Sequence, residues 1–370
     1  MRKVYLDNAA TTSLDPQVWE CMQPYFLNVY GNPSSTHFAG REARGAVEAS
    51  RKQIANLVGT KAQRLIFTSG ATEANNLVFK FAVRNLGVKN IIVSPLEHHA
   101  VLYPAEHAGV NVHYTKHDSF GVLDLTHLEN MLANCPNSMV SIMHANNEIG
   151  KINPVKEIAQ LCKIHGAYFH SDTVQSLAHL DVNQQELGID FIVSSAHKYH
   201  GPKGVGFLAF NQDFVLSSDQ LGGAQEKGLR AGTEAVPLVV GMAKALEILS
   251  ESREENEAQM LALKQYLIEQ LKPIKGVGFN AGSEQVDGYL PSVINLALSK
   301  EVFNEMTLFT LDLNGVAVSG GSACSSGAIK GSHVLETLDP QNDSLAVRVS
   351  FSKFTTQEDI DYFVKCLKNL

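Results

Sequence analysis

The sequence predicts an α/β fold in which a large domain with a mostly parallel sheet flanked by helices is joined to a smaller α+β domain. Three observations carry that expectation. Between Leu65 and Phe210 short β-rich runs alternate with helical patterns, as in a parallel sheet built from helical crossovers. From Val236 to Leu271 the pattern is helical nearly throughout, which suits a connection between two domains. After Pro273 the apolar pieces shorten and the regular alternation ends. The length of 370 residues also suggests about two domains.

In chain order the strand candidates of the first region are Leu65–Phe67, Ile91–Ser94, Val110–Tyr114, Met139–Met143, Tyr168–His170, Phe191–Val193 and Val205–Phe210. Helices are expected at Ala71–Asn85, Leu125–Ala133 and Val155–His165, the last with Asn153 as cap and Pro154 in its first turn. In Val236–Leu271 the apolar residues Leu246, Leu249, Met260, Leu263, Leu267 and Leu271 fall near helical spacing, beside an acidic face at Glu254, Glu255 and Glu257. The last third offers strands at Val293–Leu298, Val316–Val318 and Ala346–Phe351, with helices at Asn304–Leu311 and Gln357–Leu367. The expected division is a large domain over residues 15–255 and a small one formed by 1–14 and 256–370.

Hydrophobic residues make up 44% of the chain and charged ones 18%, the balance of an ordinary soluble protein. A formal charge of −8 sets a global field that repels nucleic acid and anionic membranes. No cationic segment with a following apolar run opens the chain, and nowhere do 18 apolar residues follow one another, so a cytoplasmic protein is expected. The five cysteines, Cys21, Cys135, Cys162, Cys324 and Cys366, are scattered and never spaced C-x-x-C, which points to reduced thiols. Five histidines fall between His98 and His117, but only His113 and His117 have an i, i+4 spacing, on a strand-like segment, and no resident metal is expected.

Three strand ends carry chemistry. Thr68-Ser-Gly-Ala-Thr72 follows one strand and opens a helix, so its backbone N–H groups and the Ser69 and Thr72 hydroxyls are suited to a phosphate. Such turns are also common without a ligand. Asp172 closes the strand Tyr168–His170, where a carboxylate can keep a pyridinium nitrogen protonated or simply hydrogen-bond the following loop. Lys198 lies 26 residues further on, about one βαβ unit, among Ser, His and Gly after Phe191–Val193. A lysine withdrawn from water near other cations can form a Schiff base. Cys324 sits in a loop with Gly320, Gly321, Gly327 and Gly331, which reads either as a thiol with freedom to move or as an incidental surface cysteine.

With these motifs the chain resembles the fold-type I pyridoxal-phosphate enzymes of the class V aminotransferase type, and among them the cysteine desulfurases of the NifS/IscS kind. The resemblance runs through Tyr5-Leu-Asp-Asn-Ala-Ala-Thr-Thr12, Gly31-Asn-Pro-Ser-Ser35, Thr68–Asn75, Glu97-His98, Asn146-Asn-Glu-Ile-Gly150, Asp172-Thr-Val-Gln175, His197-Lys198, Gly201-Pro-Lys-Gly204, Gly228-Leu-Arg-Ala-Gly-Thr233, Gly320-Gly-Ser-Ala-Cys324 and Arg348-Val-Ser350. It implies that Lys198 carries pyridoxal 5'-phosphate, that Asp172 pairs with the ring nitrogen, that Gln175 bonds the phenolic oxygen and that His98 stacks on the ring. Ala71, Thr72, Ser195 and His197 would hold the phosphate, with Thr233 reaching it from the partner of a homodimer. Asn147 would lie beside ring and substrate, and Arg348 would clamp the substrate carboxylate, a task suited to a planar bidentate donor.

The implied reaction takes sulfur from L-cysteine, leaving L-alanine and a persulfide on Cys324 for acceptor proteins in iron-sulfur cluster assembly or tRNA thiolation. A selenocysteine lyase or another class V enzyme shares the early chemistry, and Cys324 is what separates them. The sequence departs from the family at Ala224, where a third glycine is usual, at Glu234-Ala235, where Asn commonly follows, and at Ser352-Lys353 in place of Gly-Arg.

Overall fold

A computed structural model of the chain describes residues 2–320 and 331–370. The two-residue strand β1 (Val4–Tyr5) precedes a run of seven strands, β2 (Leu65–Thr68), β3 (Asn90–Val93), β4 (Asn111–Tyr114), β5 (Ser138–Ser141), β6 (Tyr168–Asp172), β7 (Phe191–Ser195) and β8 (Gly206–Phe210). These seven form one sheet in the order β2-β8-β7-β6-β5-β3-β4, in which β8 alone runs against its neighbours. All residues of β2, β5, β7 and β8 are buried, because helices cover both faces of a sheet of this kind. That burial explains why these strands read as unbroken apolar runs.

The helix Ala71–Asn85 packs with Leu77, Val78, Phe79 and Phe81 on one face of the sheet. On the other face lie Phe38–Leu57, Val155–Ile164 and Val236–Glu251. The helices Pro16–Leu27 and Phe38–Leu57 both rest against Val236–Glu251. Neither was expected, since Pro24 interrupts the first and charged and small residues dilute the second. Asn153 does not cap Val155–Ile164, contrary to expectation: its amide donates to the Met143 carbonyl at 2.8 Å instead.

The segment Val236–Leu271, expected to be helical nearly throughout, forms two helices, Val236–Glu251 and Arg253–Leu271, with a break at Ser252. Leu246 belongs to the core of the large sheet, whereas Met260, Leu263, Leu267 and Leu271 belong to a separate core. Serving two cores from one chain segment calls for a change of direction, and Ser252 supplies it by bonding back to the Ile248 carbonyl through both its amide and its hydroxyl. The second core is built on β9 (Val277–Phe279), β10 (Val293–Leu298) and β12 (Leu345–Ser350), an antiparallel sheet in the order β12-β10-β9. Between the last two in sequence, β11 (Val316–Ala317) pairs in parallel with β1, and Val4 and Leu6 enter this core. The N-terminal residues thus fold with the C-terminal part of the chain. No helix among the described residues is long and apolar enough to cross a membrane.

Candidate active site

The carboxyl ends of β2, β6 and β7 open onto a cavity of about 590 Å³. This is where the crevice of an open α/β sheet lies. Its wall contains Ala71, Thr72, His98, Asn147, Asp172 and Gln175, together with Ser195, His197, Lys198 and Arg348. Those ten were singled out from the sequence, and they come from segments up to 277 residues apart. Thr233 is exposed and does not border the cavity of its own chain, and Cys324 lies outside the described residues.

Lys198 directly follows the end of β7, in a short helical turn Ala196–Lys198, and its ammonium group donates to the carbonyls of Ala9 and Ala10 at 2.5 and 3.0 Å. The Asp172 carboxylate accepts from the Asn75 amide at 2.8 Å on one oxygen and from the Val174 N–H at 3.0 Å on the other. Together the two bonds fix the plane of the carboxylate. The Gln175 amide donates to the Ala9 carbonyl at 2.9 Å, so the segment Ala9–Ala10 is shared by the lysine and the glutamine.

His98 caps the helix His99–Glu106, its Nδ1 accepting from the Ala100 N–H at 3.0 Å. Burial lowers its pKa, with Asp172 opposing and Lys198 reinforcing the shift, so the ring is neutral at physiological pH. His197 is pushed down to about 4 by burial and by Lys198 and Lys203. Its Nδ1 lies 3.1 Å from the Thr11 hydroxyl.

The first turn of the helix Ala71–Asn85 faces the cavity, and no side chain among the described residues caps it. The N–H groups of a helix's first turn, which have no acceptor within the helix, and the positive end of its dipole favour an anion. The approach is made possible by glycine: a Cβ on Gly206 would stand 2.4 Å from the Ser194 carbonyl and 2.7 Å from Gly70 Cα. On the opposite wall Arg348 is 2% exposed, donating to the Asn147 carbonyl at 3.0 Å and to Asp7 at 2.8 Å. Its Nε is buried with no partner among the described residues, leaving one edge of the guanidinium open.

Several contributors were missed as individuals. Asn75 and Asp7 stand inside motifs that were recognised, but only the fold shows that they hold Asp172 and Arg348. Glu148 and Ser332, 184 residues apart, are hydrogen-bonded beside the cavity, and His99 and His333 line it with ring centroids 4.5 Å apart. No local pattern announces these pairs.

Residues 4–363 match the family described as aminotransferase class-V. The chain belongs to the class V aminotransferase family. Among the relatives of this class V chain is the cysteine desulfurase IscS of Dictyoglomus turgidum, 41% identical over 100% of the chain and 94% of the relative. Another is the putative cysteine desulfurase IscS 1 of Bacillus subtilis, 40% identical over 97% of the chain and 96% of the relative. Among solved structures a NifS-like protein superposes with a TM-score of 0.91 at 33% identity, covering 100% of the chain and 99% of that structure. A structure described as SspA in complex with cysteine superposes with a TM-score of 0.82 at 30% identity, over 96% of the chain and 100% of that structure.

The class V site is suited to pyridoxal phosphate on its own geometry. A lysine, a fixed carboxylate, a neutral imidazole and an uncapped helix N-terminus border one cavity, matching the aldehyde, ring nitrogen, ring face and phosphate of that molecule.

Proposed function

We propose that the protein is a pyridoxal-phosphate-dependent cysteine desulfurase, converting L-cysteine to L-alanine and leaving the sulfur as a persulfide on Cys324. The observation that carries this reading is the meeting of Lys198, Asp172 and the open edge of Arg348 on one cavity. The relatives at 35–41% identity over nearly the whole chain, named as cysteine desulfurases, support it.

In this reading Ala71, Thr72, Ser195 and His197 hold the cofactor phosphate, with Thr233 contributed by the partner of a homodimer. Pyridoxal phosphate, when bound, supplies an electron sink for negative charge on the substrate α carbon. Arg348 receives the substrate carboxylate on its free Nε edge, while Asp7 and the Asn147 carbonyl hold the rest of the guanidinium in place. Lys198 binds the cofactor and, once released, moves the α proton as a general base. His98, kept neutral by burial, packs on the ring without adding charge. The Cys324 thiolate then attacks the substrate sulfur: an S–S bond forms, the C–S bond breaks, and its electron pair stays with the carbon that is released as L-alanine. The sum is L-cysteine plus a thiol giving L-alanine plus a persulfide.

Sulfur-acceptor proteins, such as an iron-sulfur scaffold, and a cytoplasmic setting complete the reading. The deciding experiment adds L-cysteine to purified holoenzyme, measures alanine and maps the persulfide by mass spectrometry. Alanine with a persulfide on Cys324, and neither in Cys324→Ala, is the expected result. Sulfur release that persists unchanged in Cys324→Ala sinks the proposal.

A further inference from the structure

We propose that His333 recognises the side chain of the amino-acid substrate, accepting a hydrogen bond at Nδ1 from its sulfhydryl group; this rests on reading the site as one that binds L-cysteine. The ring is held from two sides. Ser332 caps the helix His333–Leu338, its hydroxyl donating to the Glu148 carboxylate and accepting from the Leu335 N–H at 3.1 Å. The imidazole Nε2 then lies 2.9 Å from the Glu97 carbonyl oxygen. A carbonyl can only accept, so Nε2 carries a proton, and in the uncharged ring Nδ1 is then the acceptor.

That Nδ1 is buried and has no partner among the described residues. A buried acceptor without a donor is unfavourable, and native structures leave few of them without a use. His99 lies between the two rings, stacked on Tyr103 at a centroid distance of 4.8 Å and tilted by 32° against His333 at 4.5 Å, which restrains the His333 ring against rotation.

His333 borders the same cavity as Lys198 and Arg348. Those two are assigned to the amino and carboxylate groups, leaving the third arm of the substrate to the remaining wall. The carboxylates there are engaged, Glu148 by Ser332 and Glu73 by Arg230 at 2.8 Å, and Lys203 is exposed to solvent. A thiol can donate to Nδ1 whereas the methyl group of L-alanine cannot. The contact therefore favours substrate over product and weakens as the sulfur leaves.

Equilibrium dissociation constants for L-cysteine and L-alanine, read from the absorbance of the bound cofactor, test this in Cys324→Ala holoenzyme with and without His333→Gln. The glutamine amide can keep the bond to the Glu97 carbonyl while removing the acceptor at the δ position. L-cysteine is expected to bind about fivefold more weakly, with L-alanine unaffected. Equal changes for the two amino acids, or none, overturn the proposal. Should His333→Gln fail to fold, His333→Asn, whose Oδ1 replaces Nδ1, is expected to preserve the cysteine-to-alanine ratio, and loss of that ratio overturns it. Absorbance that responds to neither amino acid before His333 is altered sinks the reading of the site itself.

Discussion

The two walls of the cavity are built on different terms. On the wall formed by the parallel sheet, Lys198 and Asp172 lie at or just beyond strand ends and are hydrogen-bonded within the chain, to Ala9, Ala10, Asn75 and Val174. On the opposite wall, formed with the C-terminal segments, Arg348 and His333 are each anchored by other nitrogens and keep one buried nitrogen without a partner among the described residues. The first arrangement suits a permanently bound cofactor, since its groups are oriented before anything arrives. The second suits a substrate that comes and goes, because the open positions are filled only when it is there.

Removing a group from the first wall should do most damage. Lys198→Ala is expected to lower alanine formation from L-cysteine by about 10³-fold or more, since the proposed function assigns to this one residue both the cofactor and the proton. Borohydride reduction followed by peptide mapping should label Lys198 in the unaltered protein and nothing in the variant. Activity within about tenfold of the unaltered protein would show that the lysine is not the base.

The sheet wall also depends on a buried ion pair behind it. Arg51 and Glu226, 3% and 4% exposed, are joined by two hydrogen bonds, and Glu226 also accepts from the Phe67 N–H on β2 at 2.9 Å. Glu226→Leu leaves the guanidinium buried without its buried charge partner, with only the half-exposed Glu48 at 3.1 Å remaining, and is expected to cost about 3–5 kcal/mol of stability. Denaturant unfolding measures this; a loss below about 1 kcal/mol would place the pair among the weak surface type.

On the substrate wall the effect should appear in binding. Arg348→Lys keeps the charge but loses the planar fork, which is worth about 1.5–3 kcal/mol for hydrogen bonds between charged groups, or roughly 10- to 150-fold in KM for L-cysteine. Cofactor absorbance should not change. If cofactor binding fell and KM did not, the assignment of the two walls would be reversed.

The sheet was legible because its strands are buried on both faces and so appear as short apolar runs; the boundaries of Val293–Leu298 and Ala71–Asn85 agree to the residue. Pro16–Leu27 and Phe38–Leu57 were not, since their helicity comes from packing against Val236–Glu251 and not from a clean apolar stripe. The break at Ser252 depends on there being two cores, which helical spacing alone does not encode. In the site, chemically distinctive residues could be found by type and motif. Their supports could not, because Asn75 with Asp172 and Ser332 with Glu148 are joined across 97 and 184 residues by the fold itself.

The smallest expected effect concerns protons on the sheet wall and the interface behind it. Burial lowers the pKa of His144 and His179 to about 4 and that of His170 to about 3, against the ordinary value of 6.5. The unfolded chain therefore binds protons at these positions below pH 6.5 that the folded chain refuses until near pH 4 or lower. Stability from this source is fully present above pH 6.5 and is lost as the pH falls toward 4. Each histidine contributes a slope of about 1.4 kcal/mol per pH unit inside that window. His144, whose backbone N–H donates to the Asp172 carbonyl at 3.1 Å, is the one to replace. Unfolding of His144→Asn between pH 4.5 and 6 should show a slope reduced by about one proton, with little change above pH 7. A slope equal to that of the unaltered protein would mean that His144 is protonated in the fold, and that the sheet wall carries more positive charge than its burial allows.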